Sequence, residues 1–92
     1  MEKLKYYIVK IRNLEIYRTT WHIIKAISVE EALRIREQHG ISYPRNATNL
    51  EIISCEELNM KLKINKDLIE RRKQGFGGSI WYVENGILKT EL

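Results

Sequence analysis

Apolar and polar residues alternate through much of the first 27 positions, which is the pattern of strands with one face against a core. The alternation predicts a first strand over 3–12, a turn near Arg12-Asn13, and a second strand that runs to about Ile27. The side chains expected to face the core are Tyr7, Val9, Ile11, Ile24 and Ala26. The chain is therefore expected to begin with two strands joined by a short turn.

The pattern changes to a helical period at Ser28. The Ser28 hydroxyl can accept a free backbone N–H of the first turn, and Glu31, three residues on, completes a capping box. The helix should end at Gly40, which adopts the left-handed conformation easily, with Ile41 folding back as the apolar partner. The apolar stripe of this predicted helix is Val29, Ala32 and Leu33.

A loop and a third strand are predicted next. Positions 41–48 include Pro44 and several polar residues, which is typical of a loop, and 50–53 predict a short buried strand. The order so far is β-β-α-β. The stretch AISVEEA at 26–32 resembles the strand-to-helix junction of small uncharacterised phage and bacterial proteins. That resemblance implies a fold and says nothing about function.

The last 13 residues predict a β-hairpin. Asn85-Gly86 lies between two apolar stretches and fits a two-residue type I′ turn, in which both central residues have positive φ. In this register one face carries Trp81, Val83, Leu88 and Thr90, and the other carries Ile80, Tyr82, Lys89 and Glu91. We expect Trp81 and Val83 to face the core, and Tyr82 to lie beside Lys89 toward solvent.

The stretch between the third strand and the hairpin predicts a helix. Ser54 and Glu57 form a second capping box, so a helix would begin at Cys55. It would either run unbroken to Gln74 or turn near Lys63-Ile64 into a second short helix. The expected fold class is thus α+β, a β-β-α-β unit followed by a basic helix, or a bent helix pair, and a C-terminal hairpin. Residues 1–92 would form a single domain, with 1–53 as scaffold and 54–92 as the basic helical segment plus hairpin.

About 30 residues of this second half resemble the winged helix-turn-helix domains of the excisionase and MerR type. Ser54 and Glu57 match the start of the first helix, Asn65 the cap of the recognition helix, and Ile80–Val83 the wing strand. Lys63 departs from the pattern, because these families usually have glycine there. The resemblance implies DNA binding through the second helix and the wing.

Positive charge is concentrated in the same half. The chain of 92 residues has a net charge of +4, and within 60–78 six basic residues accompany two acidic ones. Such a window is suited to contacts with phosphates, although a solvated helix face with ordinary ion pairs would give the same composition. The candidate residues for binding nucleic acid or another partner are Lys63, Lys66, Arg71, Arg72, Lys73, Phe76 and Tyr82.

Catalytic chemistry is not indicated by the sequence. His22 and His39 are far apart in sequence and have no partner at metal-ligand spacing, and no nucleophile motif is present. The glycines at 75–78 lead into a strand, whereas a phosphate-binding loop opens onto a helix N-terminus. We therefore expect no enzyme activity, no metal and no cofactor. A single cysteine and no apolar stretch of membrane-spanning length are typical of a cytoplasmic protein.

Two functions fit these observations. The first is a small nucleic-acid-binding accessory protein, of phage or mobile-element type, that uses the basic helix and the glycine-rich bend after it. The second is a protein-binding inhibitor, such as a phage-encoded anti-CRISPR, that acts on a bacterial nucleic-acid-processing complex. A homodimer paired through the first strand is also compatible with the sequence.

Overall fold

The computed structural model describes residues 3–58 and 80–91. In chain order these residues form β1 (Lys5–Asn13), β2 (Arg18–Ala26), α1 (Val29–His39), β3 (Leu50–Leu58), β4 (Ile80–Glu84) and β5 (Ile87–Glu91). The strands make one mixed sheet in the order β3-β1-β2-β4-β5. Neighbouring strands are antiparallel, except that β4 runs parallel to β2.

The fold class predicted from the sequence is wrong. The described residues form a five-stranded mixed sheet with one short helix, and they do not form an α+β unit followed by a basic helix. Strand β3, predicted to stop at Ile53, continues to Leu58, so Cys55 lies in a strand where a helix was expected to begin. The remainder of the predicted basic helix, 59–74, and the glycine-rich bend at 75–78 lie outside the described residues.

The physical reason for this error is the pairing of β3 with β1. From Leu50 to Leu58 the third strand lies antiparallel to β1, so the backbone groups on that side of β3 have partners across the sheet. Ser54 lies opposite Lys10 and Glu57 opposite Tyr7 within this ladder. The two residues satisfy the local pattern of a capping box, but long-range hydrogen bonding decides the conformation.

Strands β1 and β2 form the centre of the sheet, as a hairpin with register pairs from Lys5↔Ala26 to Asn13↔Arg18. The two predicted strands are confirmed, but the turn between them lies at 14–17 and not at Arg12-Asn13, which belong to β1. Because β3 covers the other side of β1, the idea that the first strand is a free pairing edge is wrong.

Helix α1 has the ends that the sequence predicts. The Ser28 hydroxyl accepts the backbone N–H of Glu31 at 3.1 Å. At the other end Gly40 is left-handed, with φ 62°, and the N–H of Ile41 donates to the carbonyl of Arg36 at 3.0 Å. Ile41 is buried in the core, as expected of the apolar residue that follows such a cap.

The main core lies between α1 and one face of the sheet. Its buried residues are Tyr7, Val9, Ile11, Ile24, Ala26, Ala32, Ile35 and Ile41. All five side chains predicted to face the core from the first two strands are in this set. Trp81 and Val83 from β4 pack against it, which confirms the face predicted for the last hairpin. The third strand, predicted as buried over 50–53, is present as β3, but the prediction that it is buried is wrong, because Ile52 and Ile53 are exposed.

The C-terminal hairpin has the predicted turn and register. Asn85 and Gly86 have φ of 53° and 76°, so both central residues are in the left-handed region. Tyr82 pairs with Lys89, and Val83 with Leu88. Elsewhere in the sheet, β3 contains an irregularity, because its register with β1 moves from Lys10↔Ser54 to Ile11↔Ile52 and leaves Ile53 as the extra residue of a β-bulge.

Among the described residues, no helix has the length and apolar character needed to cross a membrane.

Candidate functional site

The face of the sheet opposite α1 carries a row of alternating aromatic and basic side chains across four strands. Tyr6 on β1 pairs with Lys25 on β2, and Tyr82 on β4 pairs with Lys89 on β5. The parallel register Ile24↔Trp81 places Tyr82 beside Lys25, one position further along each strand. We call Tyr6, Lys25, Tyr82 and Lys89 the aromatic–lysine row.

Lys25 lies between the two tyrosines of this row. Its Nζ is 5.7 Å from the centre of the Tyr6 ring and 5.9 Å from the centre of the Tyr82 ring. Both distances are within the range of cation–π attraction, which is worth about 0.5–1 kcal/mol at exposed sites. The arrangement holds one ammonium group between two aromatic rings that are both partly exposed.

A second aromatic–basic pair lies on the same face. The Nζ of Lys10 is 5.3 Å from the centre of the Trp21 ring, directly across β1 and β2. Ile8, Ile23 and Ile80 form a small buried cluster between this pair and the aromatic–lysine row, and Tyr6, Trp21 and Leu58 pack against it. We call Ile8, Ile23 and Ile80 the apolar strip. On this face the aromatic–lysine row lies on one side of the strip, and Lys10 and Trp21 lie on the other.

Carboxylates accompany most of these basic groups. Lys25 Nζ lies 3.5 Å from a carboxylate oxygen of Glu91, and Lys89 Nζ donates to Glu84 at 2.8 Å. The hydrogen bond from Lys89, followed by its charge, lowers the pKa of Glu84, and the same contact raises the pKa of Lys89. These ion pairs are exposed, so a phosphate can replace the carboxylates without leaving a buried charge unpaired.

The described residues on either side of the stretch 59–79 lie on this face. Leu58, the last residue of β3, pairs with Tyr6, and Ile80, the first residue of β4, pairs with Ile23. Both side chains belong to the apolar cluster of this face. They are separated by three strand spacings, about 14 Å across the sheet, and by two residues along the strands. The most basic part of the sequence is therefore attached, at each end, to the face that carries the aromatic–lysine row.

Of the residues predicted as a binding site, Tyr82 is the one that the structure describes, and it belongs to the aromatic–lysine row. The others, Lys63, Lys66, Arg71, Arg72, Lys73 and Phe76, lie outside the described residues. Four residues of this face, Tyr6, Lys10, Trp21 and Lys25, were not predicted from the sequence. A signal for them existed, because side chains alternate along a strand, so residues an odd number of positions from the correctly predicted core residues must share the opposite face.

Other reactive groups lie away from this face. His22 is buried and its Nε2 lies 2.9 Å from the Thr20 hydroxyl; burial, aided by the charge of Arg36, lowers its pKa to about 4. Burial raises the pKa of the Cys55 thiol, with smaller effects from Glu30 and Glu56. Within 3–58 and 80–91 no cluster of three potential metal ligands is present. These groups give no support for a nucleophile or a metal site.

Comparison with known proteins adds no relative, since no protein-family model, no curated protein and no solved structure matches the chain. The resemblance to winged helix-turn-helix domains stays a prediction. Of the residues that carry it, Ser54 and Glu57 lie in β3 and not at a helix start, whereas Ile80–Val83 lie in β4, a hairpin strand as a wing requires.

Proposed function

We propose that this protein is a non-enzymatic nucleic-acid-binding protein whose contact surface is the sheet face opposite α1 together with the basic stretch attached to it. Lysine and arginine side chains would bind the phosphates, and the aromatic side chains of the face would meet the bases. Nucleic-acid-binding proteins commonly have this chemistry, in which basic groups and aromatic rings share one surface.

The observation that carries the proposal is the distribution of charge. The described residues contain ten basic and nine acidic side chains, so they are almost neutral. Residues 59–79 contain six basic and two acidic side chains, so their net charge of +4 equals that of the whole chain. The residues that flank this stretch, Leu58 and Ile80, lie beside the aromatic–lysine row. That the described residues on either side of this stretch lie on the aromatic-bearing face supports a contact surface that combines the two.

Fluorescence anisotropy with labelled DNA and RNA at about 50 and 200 mM salt tests the proposal. If three or four phosphates are neutralised on a duplex, the affinity should fall roughly 50- to 150-fold over this range, because bound counterions are released. Arg71→Glu/Arg72→Glu should abolish the binding. Arg18→Glu/Arg34→Glu makes the same change of charge away from the proposed surface and should bind far better than the first variant. No binding by the native protein at low salt would refute the proposal.

A second candidate, a protein-binding inhibitor, is favoured by a different surface. The turn between β1 and β2 exposes Leu14, Ile16 and Tyr17, the last with 86% of its surface accessible. Tyr43 is exposed on the neighbouring loop, where the Arg18 guanidinium lies 4.9 Å from its ring centre. Exposed apolar side chains of this size, close together, are typical of a surface that another protein covers.

This candidate predicts a partner that depends on the turn. Affinity capture from a bacterial lysate should retain a specific complex on the native protein and lose it on Ile16→Ser/Tyr17→Ser. The Tyr6→Ser/Tyr82→Ser variant changes the opposite end of the sheet and serves as the control. A partner retained equally by both variants would argue against the turn as its binding site.

A further inference from the structure

We propose that the aromatic–lysine row binds unpaired bases, so that the preferred ligand is single-stranded nucleic acid. This inference rests on the proposed function and specifies its ligand. Tyr6 and Tyr82 each supply a partly exposed ring on which a base can stack, and Lys25 between them supplies the positive charge for the phosphate that links the two nucleotides.

The spacing of the rings excludes a duplex from this arrangement. Tyr6 and Tyr82 lie on strands to either side of β2, which puts their backbones about 10 Å apart. Successive bases of a duplex strand are stacked about 3.4 Å apart, and each base has its faces covered by its neighbours. Two bases that stack on the two tyrosines must therefore be separated from each other, as they are in an extended single strand.

The charges around the row agree with a phosphate at Lys25. Its ion pair with Glu91 is long, at 3.5 Å, and Glu91 is the more exposed of the two side chains. A phosphate approaching from solvent can take the place of this carboxylate, whereas the contacts of Lys25 with the two rings can remain. Lys89, which pairs across the strands with Tyr82, is available to the next phosphate by the same exchange with Glu84.

Trp21 and Lys10 repeat the same combination on the other side of the apolar strip. The buried residues Ile8, Ile23 and Ile80 separate this pair from the row, so the proposed base-stacking site is the aromatic–lysine row alone.

The test compares labelled single strands of 12 nucleotides, as DNA and as RNA, with the duplex of the same sequence. We expect single strands to bind at least about 10-fold more tightly than the duplex. Tyr6→Leu/Tyr82→Leu keeps apolar side chains but removes the rings, and should weaken single-strand binding at least about 30-fold while duplex binding changes little. Tyr6→Phe/Tyr82→Phe keeps the rings and should bind like the native protein.

Tyr17→Leu/Tyr43→Leu is the matched control, since it makes the same two changes at exposed tyrosines far from the row. A 12-unit abasic strand tests the inference without altering the protein, because it has the phosphates but lacks the bases. It should bind at least about 30-fold more weakly than the normal strand.

Equal binding of normal and abasic strands, or a preference for the duplex, would overturn the inference and leave the proposed function standing. Absence of binding to every nucleic acid at low salt would overturn both. A loss of single-strand binding in the leucine variant, together with retention in the phenylalanine variant, would support the row as a base-stacking site.

Discussion

Burial shifts the pKa of His22 far from its ordinary value, so this residue makes the stability of the fold depend on pH. It lies on the helix-covered face of β2, buried beside Thr20, and burial together with Arg36 lowers its pKa to about 4. An unfolded chain binds this proton near pH 6.5, whereas the folded protein keeps the ring neutral down to about pH 4. The contribution of His22 to stability is therefore complete above pH 6.5 and decreases as the pH falls.

We expect the free energy of unfolding to decrease by roughly 3 kcal/mol between pH 7 and pH 4 because of His22. Over this range His22 binds a proton in the unfolded state but stays mostly neutral in the folded state. Urea unfolding over this pH range measures the effect. In His22→Gln the decrease should be smaller by about this amount, since the neutral amide does not titrate. The same pH dependence in both proteins would show that His22 is already protonated in the folded state at mildly acidic pH.

Two glycines test the role of the left-handed backbone at single positions. Gly40 has φ +62°, and a Cβ placed there would overlap the side-chain amide oxygen of Asn46, whereas Gly86 has φ +76° and open space around it. Gly86→Ala should cost about 1 kcal/mol of folding free energy from backbone strain alone. Gly40→Ala should cost more, because the Asn46 side chain must also move. Denaturant midpoints at an unchanged m-value measure both.

A smaller cost for Gly40→Ala than for Gly86→Ala would contradict the contact between Gly40 and Asn46.

Elements with local signals were predictable from the sequence, and elements decided by distant partners were not. Ser28, Gly40 and Asn85-Gly86 each fix a backbone conformation within a few residues, and the helix ends and hairpin turn that they predict are present. The residues Ser54 and Glu57 match the sequence pattern of a capping box as well as Ser28 and Glu31 do. They nevertheless lie in a strand, because they pair with β1. The pairing of β3 with β1 joins residues between 37 and 52 positions apart, and local patterns do not indicate it.

The two predicted caps provide a direct test of this difference. Ser28→Ala removes the hydroxyl that accepts the N–H of Glu31 and should destabilise the protein by about 1 kcal/mol. Ser54→Ala is the matched control, because Ser54 lies in the middle of β3 and caps nothing in the described fold. It should change the folding free energy by less than about 0.5 kcal/mol.

If thermal or urea unfolding shows that both serine substitutions destabilise the protein equally, the result would favour the helix start predicted at Cys55.

At the scale of the whole molecule, the binding face could be predicted only in part. The sequence indicates the basic stretch and Tyr82, since charge composition and a hairpin turn are local properties. It does not indicate that Tyr6 on β1 and Tyr82 on β4 lie on either side of Lys25, because this depends on the strand order. A parallel contact between β2 and β4 joins residues that are more than 50 positions apart.

The strand order predicts a gradient of amide hydrogen exchange across the sheet. Strand β1 has a partner on each side, whereas β5 lies at an edge and is mostly exposed. Buried amides of β1, such as those at 7–11, should exchange only through global unfolding, and amides at 87–91 should exchange faster through local opening. Mass spectrometry of peptides from the two strands measures this, and exchange from β1 as fast as that from β5 would contradict its central position.

Ile53, the extra residue in β3, bends the edge strand at the place where Ile52 and Ile53 expose large aliphatic side chains. A straight, flat edge with such side chains would offer a continuous row of N–H and C=O groups to another chain, and each added chain would offer the same edge again. The bulge interrupts that row and so works against fibre growth. Deletion of Ile53 would restore the regular edge and, with it, the hazard of aggregation.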